Sequence, residues 1–65
     1  MIKIILTDFF ANGLDYSAIS NKTSMSIADI HDIVTSFLRH IEWFNRVSAA
    51  KNNPAVIVKI DAFAG

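Results

Sequence analysis

The chain contains no cysteine, so neither a disulfide nor a thiolate-held metal can brace it. It has one proline and two glycines, which leaves few positions where the backbone is obliged to turn or a helix to stop. No sign of charge prevails, because six basic residues balance six acidic ones. Nucleic-acid binders draw much of their affinity from neutralised phosphates and usually carry a basic excess. Strong packaging of DNA by overall charge is therefore excluded, and only a local basic patch stays open. Long apolar runs are missing too: nothing approaches the roughly 18 residues of a membrane span. The early run Ile4-Ile5-Leu6 stops at Thr7-Asp8, too soon for a secretory signal. A cytoplasmic protein with no membrane partner is expected, and Asn21-Lys22-Thr23 is then a fortuitous glycan sequon.

What is present in quantity is apolar surface. Hydrophobic residues make up 52% of the 65 positions, with five Phe and one Trp. A single domain spanning 1–65 is expected, and a chain of this size buries only about 60% of the surface its unfolded form exposes. Oligomerisation is the usual remedy for such a surplus, so a homodimer is expected.

The clearest element is central. Ile27, Ile30, Val34, Phe37, Leu38, Ile41 and Phe44 recur at three-and-four spacing, and Ile33 widens their face. This predicts an amphipathic helix from about Ser26 to about Arg46, roughly 30 Å long. Ser26 is a good N-cap with Asp29 three positions on, and Met25 before it can staple onto Ile30. A shorter helix is predicted over Leu14 to Lys22, closed by Thr23-Ser24 and separated by Asn12-Gly13 from what precedes. The opening Met1–Leu6 is β-prone, yet Thr7 could equally cap a helical turn through Phe9 and Phe10; both readings stay open. Lys51-Asn52-Asn53-Pro54 reads as a loop. In Ala55 to Ile60, Val56, Val58 and Ile60 alternate with Ile57 and Lys59, which predicts a half-buried strand.

Helix, turn and long helix raise the possibility of a DNA-reading helix-turn-helix. A recognition helix presents its first turns to base edges and phosphates. Here those turns carry Asp29 and Asp32, with no Arg or Lys before Arg39, so groove reading by this helix is disfavoured.

Lys22-Thr23, Met25-Ser26, Asp29, Val34, Phe37-Leu38, Ile41 and Val58 through Ala64 together resemble the bacterial histone-like HU family. The resemblance runs from about Leu14 to Gly65. The family's turn glycine is Ser24 here, and the two glycines flanking its strand phenylalanine are Ala62 and Ala64 around Phe63. The first ten or so residues have no family counterpart, and the spacing between Ile41 and Val58 is longer than usual. The family's β-ribbon arm, whose tip proline wedges into the minor groove, has no counterpart, and Pro54 does not stand in for it.

The resemblance implies an α+β fold: short helix, turn, long helix, then a strand, in an intertwined dimer core with an extra N-terminal segment. It implies a core shared between copies by Val34, Phe37, Leu38, Ile41, Phe44 and Phe63. It also implies a weak architectural binder of double-stranded DNA, in a bacterial nucleoid or phage-encoded in a bacterial host. The candidate DNA contacts are Lys59, Lys51, Arg46 and Lys22, with Lys59 on a sheet saddle facing DNA; ordinary solvated surface charge is the plainer account of all four.

The other expectation is a protein-interaction module that pairs with an HU-like or other protein and leaves DNA alone. If the long helix stays regular, Trp43 falls opposite the apolar stripe beside Arg39 and Arg46. That makes Trp43 and Arg39 candidate partner surface, unless Ile2, Ile4, Phe9 and Phe10 pack over the indole. His31 and His40 stand half a turn out of phase, a poor metal pair. No nucleophile–base–orienter set, P-loop or dinucleotide fingerprint is present, so a non-enzymatic protein without a cofactor is expected.

Overall fold

Three helices in this chain start where a short polar side chain takes up an orphan amide, and the computed structural model describes residues 1–43 and 47–64. The described residues form five helices: α1 (Ile2–Phe10), α2 (Tyr16–Thr23), α3 (Ile27–His40), α4 (Val47–Ala50) and α5 (Pro54–Ala64). Asp15 caps α2 by accepting from Ala18 N–H at 2.8 Å, and Ser26 caps α3 by accepting from Asp29 N–H at 3.1 Å. Asn53 does the same for α5, its Oδ1 accepting from Ala55 N–H at 2.9 Å.

No strand is present among the described residues, and the expected α+β class is corrected to all-α. The expected strand at 55–60 lies inside α5. Pro54 occupies its first position, where the missing N–H would have had no helical partner and the fixed φ suits the helix. Alternation at Val56, Val58 and Ile60 suggested one sheet face. Instead Val56 and Ile60 are buried, at 0% and 2% exposure, while Val58 between them is 69% exposed. That is a repeat of four, and tertiary burial has overridden β-branched propensity.

The N-terminal ambiguity resolves as a helix starting well before Thr7. Ile2, Ile5, Leu6, Phe9 and Phe10 follow helical spacing, and the last four are buried. The long helix is shorter than expected. It ends at His40 because Trp43 N–H donates back to Leu38 O at 2.9 Å and Glu42 N–H to Arg39 O at 3.1 Å, with Glu42 at φ 56°. This is a Schellman closure built without glycine. Phe44 and Arg46, placed on that helix by periodicity, lie outside the described residues.

α1 and α5 form the most extensive helix pair and run antiparallel. Lys3 Nζ meets Asp61 Oδ1 at 2.7 Å near one end of the pair, and Asn52 N–H donates to Phe10 O at 2.7 Å at the other. α2 packs on α3 and α1, and α3 also meets α1 and α5. The core gathers Ile5, Leu6, Phe9, Phe10, Ile19, Ile30, Val34, Phe37, Leu38, Ala50, Val56 and Ile60. The chain exposes 4042 Å², close to the about 4100 Å² expected of a compact monomer of this mass.

The helical repeat in α5 makes a direct prediction. Ile60→Ala should destabilise the fold by roughly 2–5 kcal/mol, as buried large-to-small changes do. Val58→Ala should stay within about 0.5 kcal/mol. Denaturant unfolding of the two variants checks this, because a strand would make them lose stability alike.

Candidate protein-interaction surface

The basic residues are the first place to look for function, and three of them are occupied internally. Lys22, in the last turn of α2, donates to Asp8 Oδ2 at 2.8 Å, while Asn12 Nδ2 donates to Asp8 Oδ1 at 3.0 Å. Asp8 is only 5% exposed, so its carboxylate depends on these two donors. The Lys22 hydrogen bond holds its carboxyl below the usual carboxylate range, against the opposing effect of burial. Lys51 Nζ stands 4.2 Å from the Phe9 ring centroid, a cation–π contact. Lys3 pairs with Asp61 across the α1–α5 seam. Of the DNA-contact candidates, Lys59 is exposed on α5, a helix in place of the expected sheet saddle, and Arg46 lies outside the described residues.

The dimer-core candidates other than Phe44, which lies outside the described residues, pack within one chain. Val34, Phe37 and Leu38 are buried, and Ile41 and Phe63 lie half-buried against the same cluster. Phe37 is in ring contact with Phe10 at 5.5 Å and with Phe63 at 5.4 Å, joining α3 to both terminal helices. Trp43 also packs against this core, and its indole N–H is buried with no hydrogen-bond partner among the described residues. α3 ends before Trp43, so the regular helix expected to set Trp43 beside Arg39 does not reach it, and Arg39 remains exposed in the last turn.

The two histidines separate to different neighbours on α3. His31 lies edge-on to Tyr16 at 5.8 Å, and Tyr16 stacks on Phe9 at 4.9 Å. Burial pushes the Tyr16 phenol up from its ordinary value. His40 tilts against Phe63 at 5.0 Å.

Phe63 also borders an open cleft of about 220 Å³, lined by Ile2 from α1, by Asp32, Ile33 and Ser36 from α3, and by Phe63 from α5. It exists because α1 and α5 pack along each other and meet α3 on its inner face, leaving a notch beside its outer edge. Ile2 is 43% exposed there, and Ile33 and Phe63 are half-buried. Sequence reasoning did not gather these residues. Ile33, sitting beside the main apolar stripe, was the one signal that α3 has a second apolar edge.

No family model, curated protein or solved structure matches the chain. The resemblance to the HU family thus rests on the quoted residues alone, and its strand is a helix here.

The Asp8–Lys22 pair yields a pH-dependent prediction. A carboxyl depressed in the folded state adds stability that is complete above its unfolded pKa of about 3.9 and is lost as pH falls below it. Lys22→Met removes one donor from a buried carboxylate, and water reaching the exposed lysine site limits the loss to about 1 kcal/mol at pH 7. That loss should shrink as pH is lowered towards about 2 and the parent carboxyl takes up its proton. Denaturant curves of parent and variant at both pH values check this; an equal gap at both would remove the ion pair as its cause.

Proposed function

We propose that the protein is a small, non-enzymatic helical interaction module that contacts another polypeptide through the cleft between Ile2, Ile33 and Phe63. The observation that carries this reading is the cleft itself: an apolar notch between three helices, open to solvent and rimmed by Asp32 and Ser36. Sites of this kind take apolar anchors, while the surrounding polar rim excludes water. The occupied state of Lys3, Lys22 and Lys51 supports a protein partner over a phosphate backbone. No helix among the described residues is long and apolar enough to cross a membrane.

DNA binding is the second reading, and one observation favours it. α2 and α3 are joined by only Ser24, Met25 and Ser26, with Ser24 left-handed at φ 63°, which is a helix-turn-helix connection. The exposed carboxylates of Asp29 and Asp32 on the second helix weigh against it.

A photo-crosslinking residue placed at Ser36, compared with one at Asn21 on α2, tests the first reading in cells that express the chain. Protein adducts are expected from position 36 and not from position 21. No protein adduct from position 36, together with a gel shift on duplex DNA at about 50 mM salt, would overturn the interaction reading in favour of DNA.

A further inference from the structure

The outer face of α3 carries charge of both signs, separated along the helix. Asp29, Ile33, Ser36 and His40 fall on one line of that face, and Asp32, Ser36 and Arg39 on the line beside it. Asp29, Asp32, Ser36, Arg39 and His40 are exposed, while Ile33 is half-buried where the cleft opens. The N-terminal end of the face is therefore acidic, its middle holds the apolar Ile33 and the small Ser36, and its last helical turn carries Arg39 and His40, with the exposed Glu42 past the helix end. Asp32 and Arg39 stand seven residues apart, roughly 10 Å along the axis, with Ser36 near the midpoint. Among the described residues Asp29 and Arg39 make no ion pair. Asp32 has only the His31 imidazole, 3.9 Å away.

We infer that this face pairs with the same face of a second copy, in an antiparallel α3–α3 contact about a two-fold axis near Ser36. The inference rests on the interaction reading above and names the partner. In an isologous contact, residue i meets residue j and j meets i, so a face binds itself when its pattern is complementary under that rotation. The antiparallel arrangement sets Asp32 of each copy against Arg39 of the other. It also brings the two clefts, with Ile2, Ile33 and Phe63, to the middle of the contact.

A parallel arrangement would set Asp29 and Asp32 against their own copies and Arg39 against Arg39. A partner of one charge sign would be repelled by one end of the face. The small Ser36 side chain lets the two helices approach closely at the axis. Two features elsewhere agree. The net charge of zero removes long-range repulsion between copies. The Lys3–Asp61 pair neutralises the charges next to Ile2 and Phe63, so the cleft margin adds no net charge to the contact.

Charge reversal reads the geometry directly. Asp32→Arg makes both ends of the 32–39 line positive, and Arg39→Asp makes both negative. Either variant alone should associate at least about tenfold more weakly than the parent, because two attractive rim pairs become two repulsive ones. An equimolar mixture of the two variants restores opposite charges at both ends, so it should recover association as a heterodimer. The double variant carrying both reversals should recover it as a homodimer.

Sedimentation from about 10 μM to about 1 mM reads all four samples, and far-UV circular dichroism confirms that these exposed substitutions leave the fold intact. A parent that stays monomeric throughout, or a mixture that associates no better than the single variants, overturns the inference. If the parent is monomeric while position 36 still crosslinks a different protein, the second copy is ruled out and the interaction reading stands. If position 36 crosslinks no protein at all, the interaction reading falls as well.

Discussion

The position of Phe37 is the constraint on which the rest of this molecule depends. Its ring is fully buried and touches Phe10 on α1 and Phe63 on α5. It sits on the longest described helix, so it fixes where α1 and α5 must lie relative to the centre. Phe10 continues into an edge-on contact with Phe9, and Phe9 stacks on Tyr16 at the start of α2. A connected set of rings thus runs from α5 through α3 and α1 to α2. Aromatic pairs of this kind add geometric preference to area burial, which helps so short a chain settle on one packing.

The cleft follows from the same constraint. Phe63 is drawn inward by Phe37 yet only half-buried, because one of its sides faces the notch next to Ile33 and Ile2. The residues that close the core therefore also wall the surface proposed for interaction. His40 leans on the same ring, so the C-terminal end of the α3 face is tied to the core through one phenylalanine.

How much of this was legible in the sequence differs by element, for identifiable reasons. α3 was read from its spacing and its Ser26 cap, both of which are local signals. Its end was misplaced because the apolar spacing ran on through Ile41 and Phe44. The true stop is a left-handed Glu42, which carries none of the usual glycine signature. The strand reading of α5 fails because Val-Ile-Val is β-prone and alternates, while the decisive cue is Asn53 followed by Pro54 at a helix start, where the loop of 51–53 ends. With the strand gone, the sheet saddle for Lys59 and the α+β dimer core went too. α1 held a clear helical repeat that its β-prone composition obscured. The cleft could not be found by periodicity, since its lining comes from three helices whose mutual placement is a tertiary fact.

The antiparallel pairing of α1 with α5 also orders the chain's assembly in time. α2 and α3 are neighbours in sequence and can dock as soon as both exist. α1 is made before α5, the helix it packs against most extensively. Closing so long a loop is entropically slower than any local step. Until Val56 and Ile60 emerge from the ribosome, the apolar face of Ile5, Leu6, Phe9 and Phe10 has only part of its cover. The apolar face of α1 thus waits for its most extensive contact, and that interval is when it is open to chaperones or to wrong partners.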